Sequence, residues 1–142
     1  MRTFFIVLLI TLVSQSDEEA NVLRVIDTFL QSVEKGDAEL MRTVLTESGT
    51  SHYWNADTQE TGEVSHREYI RDLGNRKEPV MEKVIETHVR VDGKEASVWA
   101  KYTLFRDGKL SHCGSEVFSL FKKENKWMIA SIDFTVETGN CN

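Results

Sequence analysis

The chain has 142 residues, 40% of them hydrophobic and 28% charged, with 23 acidic against 17 basic side chains and a net charge of -6. That is one domain of ordinary globular composition, long enough to bury roughly two-thirds of its unfolded surface. No Lys/Arg block stands out, so phosphate backbones have nothing to grip and nucleic acid is excluded as an expected partner.

Arg2 precedes an apolar run from Phe4 to Val13, interrupted only by Thr11, and Ser14-Gln-Ser16 follows. A basic start, a short apolar core and small residues at alternate positions predict a secretory signal peptide over residues 1–16, cut after Ser16. The run falls short of the about 20 apolar residues of a membrane-spanning helix. Residues 17–142 are then an exported domain, periplasmic or secreted; an uncleaved anchor or a buried first helix is the alternative.

Ser16-Asp-Glu-Glu19 has capping-box spacing ahead of Val22, Val25, Ile26, Phe29, Leu30 and Val33. Those steps of three and four predict a long amphipathic helix, stopped at Lys35-Gly36 with glycine as its left-handed cap. Asp37 caps a shorter helix through Leu40, Met41, Val44 and Leu45, ending before Gly49. Thr50 to Asn55 predicts a short strand leading into a polar loop up to Gly62. Ser65-His-Arg-Glu68 opens a third helix carrying Tyr69, Ile70 and Leu73, broken by Gly74-Asn-Arg-Lys-Glu-Pro79.

From Val80 onward the pattern is all strand. Asp92-Gly93, Asp107-Gly108 and Glu124-Asn125 punctuate alternating apolar runs and predict three successive hairpins. Helices first and a meander afterwards make an α+β domain, with helices packed on one face of a curved antiparallel sheet.

Two-residue turns place Val91 opposite Lys94, Arg106 opposite Lys109, Lys123 opposite Lys126, Phe118 opposite Ser131 and Glu116 opposite Asp133. One face then carries Val98, Ala100, Tyr102, Leu104, Cys113, Val117, Ile132 and Phe134. The other carries His88, Trp99, His112, Glu116, Phe118, Trp127, Ile129 and Asp133. A single β-bulge would exchange the faces beyond it.

Aromatic walls with a few convergent polar groups are what a small-molecule pocket needs. Trp54, Trp99, Phe118 and Trp127 are the candidate walls, with plain core as the alternative. Glu116 and Asp133, if enclosed together, would push one carboxyl up in pKa and leave a proton donor beside a base; His112 on the same face is a third acid–base group. The alternative is a solvated strand face. Cys113 and Cys141 pair if the compartment is oxidising, Thr138-Gly139 turning the tail back, or else remain free thiols. No His pair has metal-ligand spacing, and no phosphate loop or nucleophile elbow appears, so no metal or other cofactor is expected.

The run Val89-Arg-Val-Asp-Gly93, then Val98-Trp-Ala-Lys-Tyr102, Arg106-Asp-Gly108, Ser111-His-Cys-Gly114, Phe118, Trp127-x-Ile129 and Thr135-Val-Glu137 before Cys141 resembles exported nuclear transport factor 2-like (SnoaL-like) proteins. The chain departs from that group at Lys101, where proline is usual, and at Asp133, often a small polar residue. The resemblance implies a bent sheet wrapping helices into a cone with a cavity. It also implies relatives as different as ketosteroid isomerases, scytalone dehydratase, polyketide cyclases and non-catalytic modules, so it fixes architecture better than chemistry. The expected function is binding of a small molecule in the cavity. The alternatives are an isomerase, dehydratase or cyclase using Glu116, Asp133 and His112, and a dimerising accessory module.

Overall fold

The computed structural model describes residues 14–141. The expected signal segment lies outside the described residues except for Ser14–Ser16, which open the first helix.

Helix α1, Gln15–Lys35, begins two residues earlier than expected. Ser14 is the cap, its hydroxyl accepting from the Asp17 N–H while the Asp17 carboxylate accepts from the Ser14 N–H. Either serine has a carboxylate three residues on, which is why spacing alone picks the wrong one. At the other end Gly36 takes φ 63°, the left-handed conformation that glycine tolerates without a Cβ clash. Val22, Ile26, Phe29 and Val33 form the buried stripe. Helix α2, Ala38–Arg42, is a single turn capped by Asp37, and helix α3, His66–Asn75, carries the expected Ser65–Glu68 capping box.

Six strands follow from the rest: β1 Leu45–Asn55, β2 Glu60–Ser65, β3 Val80–Asp92, β4 Glu95–Arg106, β5 Lys109–Lys123 and β6 Lys126–Val136. They form one open sheet in the order β2-β1-β6-β5-β4-β3, with β1 parallel to β6 and every other pair antiparallel. The second helix therefore stops at Arg42, because Leu45 already belongs to a strand, and the polar loop expected up to Gly62 is a turn over residues 56–59 that leads into β2 at Glu60. Gly49 admits this arrangement. A Cβ there would lie 2.2 Å from the His66 ring and 2.5 Å from the Ala130 carbonyl, so β1, α3 and β6 meet only over a bare Cα.

The β5–β6 turn closes as expected, Lys123 opposite Lys126, with Glu124 and Asn125 both at positive φ. Arg106 faces Lys109 as expected, whereas the first hairpin turns on Gly93-Lys94, setting Val91 opposite Ala96. Farther from the turns the pairing shifts by one residue at three places. Ile85 in β3, Ser111 in β5 and Ala130 in β6 are each left without a cross-strand partner. Side chains alternate, so each extra residue exchanges the two faces beyond it. Phe118 consequently faces Ile132, and Glu116 faces Phe134; the expected pairings with Ser131 and Asp133 do not occur.

The face packed on the helices is therefore a recombination of the two expected ones. Val98, Ala100 and Tyr102 share it with Glu116, Phe118 and Leu120, and with Trp127, Ile129 and Ile132, all buried. Trp99, Val117 and Asp133 turn the other way. The bulges bend the sheet around α1 and α3, leaving a hollow at the end where those helices do not fill it.

Candidate functional site

The hollow is a cavity of about 500 Å³ between α1, α3 and the concave face of the sheet. Phe29 and Val33 come from α1, Tyr69, Leu73 and Arg76 from α3 and its C-cap, and Leu104, Ile132 and Phe134 from the sheet. Tyr53, Asp72 and Arg106 are the exposed members of the lining and mark its rim.

Two carboxyls define its polar end. Glu116 is only 4% exposed, on the stripe Gly114, Glu116, Phe118, Leu120 of β5. Glu82 reaches it from β3, two strands away. The two side chains hydrogen-bond through a proton held by one of them, and the Oε1 atoms of both are buried with no donor from the described residues. Burial, then the charge of Glu82, holds the Glu116 proton well above the usual carboxylate range. Burial raises Glu82 to about 7, opposed by its hydrogen bond to Glu116. At neutral pH the pair thus carries between one and two protons, as two carboxyls confined together must.

The surrounding groups are held by the protein. The Tyr102 hydroxyl donates to the Thr135 carbonyl at 2.6 Å, and the Ser115 N–H donates to Thr135 Oγ1 at 3.0 Å. Gly114 makes room for this, since a Cβ would sit 2.2 Å from the Thr135 carbonyl oxygen. Tyr69 stacks on Phe29 with ring centroids 6.2 Å apart. Burial and the nearby carboxyls push both phenols up, so they stay protonated. His112 shares a hydrogen bond of 3.0 Å with Ser111 through Nδ1, and burial followed by the Arg106 charge lowers its pKa, leaving it neutral at pH 7. Arg76 donates to the Val33 carbonyl, and Arg106 pairs with Glu78 at 3.0 Å.

Of the residues singled out from the sequence, His112 and Glu116 line this cavity. Asp133 does not join them: the unpaired Ala130 turns it to the convex face, where it hydrogen-bonds His52 Nδ1 at 3.0 Å. Trp54, 41% exposed, and Trp99 line a shallow groove there with His52 and Asp133. Phe118 is core, edge-on to Phe29 at 5.4 Å. Trp127 is a fastening rather than a wall; its indole donates to Glu18 Oε2 at 2.8 Å, and Lys122 donates to the other oxygen at 2.8 Å. That double contact pulls the Glu18 carboxyl below the usual range.

Glu82 is not among the residues expected from the sequence, although one signal marks it. It lies between Val80 and Val84 on the apolar side of a strand, where a carboxyl has no reason to be unless it faces a site. Cys113 and Cys141 are bonded, with Cα atoms 5.4 Å apart. The tail continues the ladder through paired hydrogen bonds of 2.9 Å between Cys113 and Glu137 before turning back. Among the described residues no group of three His, Cys, Asp or Glu side chains is placed to hold a metal ion, and no helix is long and apolar enough to cross a membrane.

Comparison with solved structures places this architecture. A nuclear transport factor 2-like protein of unknown function from Shewanella baltica superposes with a TM-score of 0.69 at 15% identity, covering 89% of this chain and 99% of that one. A nuclear transport factor 2-like protein from Cytophaga hutchinsonii gives 0.72 at 13% identity, covering 88% and 100%. A candidate dehydratase of the same fold family from Streptomyces avermitilis gives 0.69 at 16%, covering 89% and 100%. At such identities the likeness is one of fold. No curated protein matches the sequence. The family model for the calcium/calmodulin dependent protein kinase II association domain matches residues 18–134, from the first turn of α1 nearly to the end of β6. The chain belongs to that association-domain family and has the nuclear transport factor 2-like fold.

Proposed function

We propose that the protein is an exported binding domain that holds a small, partly apolar molecule in the cavity between its helices and sheet. The observation that carries this reading is a hollow of about 500 Å³ with hydrophobic walls, at whose polar end the buried Glu116 has an oxygen that meets no donor among the described residues. Leaving such an atom unpaired costs about 1–3 kcal/mol, a cost that a ligand with a donor offsets. The Cys113–Cys141 bond supports export, since disulfides persist in oxidising compartments. Small molecules released from the purified protein, identified by mass spectrometry and added back, are expected to raise its melting temperature. Protein that carries none, and that no member of a broad library stabilises, rejects the reading.

Cofactor-free isomerase, dehydratase or cyclase chemistry is a second reading, favoured by the proton shared between Glu82 and Glu116 beside His112. A bell-shaped pH dependence of turnover, abolished in Glu116→Gln, is its signature. Self-association is a third, favoured by Tyr53 and Trp54, 37% and 41% exposed on β1, and by a family description that speaks of association. A dimer that persists on dilution and dissociates in Trp54→Glu supports it.

A further inference from the structure

The polar end of the cavity has more acceptors than donors. Glu82 and Glu116 each present a buried Oε1 without a donor, and neither forms an ion pair among the described residues. The nearby cations are committed elsewhere, Arg76 to the Val33 carbonyl and Arg106 to Glu78. The Tyr102 hydroxyl is spent on the Thr135 carbonyl. An anionic ligand would add acceptors to a place already short of donors, and a carbonyl could claim only the proton that the two carboxyls share. An ammonium group brings two or three N–H donors and the missing positive charge together. Aromatic rings complete the fit: Tyr102 and Phe134 stand edge to face at 6.5 Å, with Tyr69 in the same lining, and ring faces attract cations.

Building on the binding reading above, we propose that the ligand is an organic cation, a primary or secondary amine on an aromatic or aliphatic body, with its ammonium seated between Glu82 and Glu116. The amine binds protonated, and no covalent bond forms. Where the pair starts with two protons, binding releases one of them to solvent.

The affinity is then set by the ionisation of Glu82, with its midpoint about 7. The other titratable groups facing the pair do not compete. From α3, Tyr69 stays a phenol and Asp72 is tied to Arg71 at 2.8 Å. From β4, Tyr102 stays a phenol, and from β5, burial lowers the pKa of His112, so its titration lies below that of Glu82. Arg76 and Arg106 keep their charge throughout.

The test uses three rods of one shape, 4-biphenylmethylamine, 4-biphenylmethanol and 4-biphenylcarboxylate, titrated into the purified protein by calorimetry at pH 6 and pH 8. The amine is expected to bind at least tenfold more tightly than the alcohol at pH 8, with the carboxylate weakest. Its affinity should rise about tenfold from pH 6 to pH 8, as the ionised fraction of the pair rises. At pH 6, buffers of different ionisation enthalpy should reveal close to one proton released. Glu82→Gln and Glu116→Gln, checked as folded by circular dichroism, should each erase the preference for the amine. An alcohol or carboxylate that binds as well as the amine overturns the proposal while leaving the cavity a binding site. Failure of all three to bind overturns the proposal, and the binding reading falls with it only if no member of the broad library stabilises the protein either.

Discussion

Glu116 and Asp133 are expected from the sequence to face each other, yet they occupy opposite sides of one sheet and behave as different chemical groups. Glu116, under the helices, is held beside the carboxyl of Glu82 and keeps its proton well above the usual carboxylate range. Asp133, on the convex face, is more than half exposed and leans on His52 in a pair that water screens. The difference lies in what covers each carboxyl and not in how near it comes to another charge. Desolvation decides first, and like-charge repulsion only adds to it.

The most severe way to break the contrast is to delete Ala130. The deletion leaves the pairs beyond it as they are, Phe118 with Ile132 and Glu116 with Phe134, but removes the bulge that bends β6 around the helices and so the hollow over Glu116. The straightened strand no longer fits over α1 and α3, so the deletion variant is expected to melt well below the parent, as read by the midpoint of the thermal transition. Next in size is the convex-face staple. Replacing Cys113 and Cys141 by serine should cost about 3.5 kcal/mol of unfolding free energy, from the lost closure of a 28-residue separation, measurable by urea titration.

Smaller, but the most informative, is a pair of amide substitutions read as stability against pH. The folded protein holds the Glu82 proton more tightly than the unfolded chain does. Wild-type stability is therefore full below about pH 4.5 and declines as pH rises through about 7. Glu82→Gln removes its own share of that decline, so it should gain on the order of 2 kcal/mol over wild type at pH 8 and nearly nothing at pH 4. Asp133→Asn should stay within about 0.5 kcal/mol at both. Equal pH profiles for the two variants would mean that the faces do not differ as described.

Much of the fold was legible because its signals are local. Ser65–Glu68, Lys35-Gly36, Asp107-Gly108 and Glu124-Asn125 each specify a cap or turn within four residues. The cysteine pair was legible from compartment and ladder together. What escaped is non-local. Ile85, Ser111 and Ala130 carry no mark of being unpaired; the curvature around α1 and α3 selects them, and each reverses half a strand. The parallel pairing of β1 with β6 joins segments some 80 residues apart, such as His52 and Asp133, and the polar run around Gly49 offers no apolar alternation to announce it. The acid site was half visible for the same reason. Glu116 stands out in the sequence, but a strand pattern points to a partner on the neighbouring strand, and Glu82 lies two strands away.

The clasp of Glu18 on Trp127 and Lys122 has a mechanical corollary. It fastens one end of α1 to the β5–β6 hairpin, and Gln15 adds a bond to the Val91 carbonyl at 2.8 Å, while Arg76 secures the other end through Val33. A beam bolted at both ends cannot swing. Whatever enters or leaves the hollow has to pass the doorway framed by Tyr53, Asp72 and Arg106, where an incoming guest meets an acid and a base before it reaches the acids within.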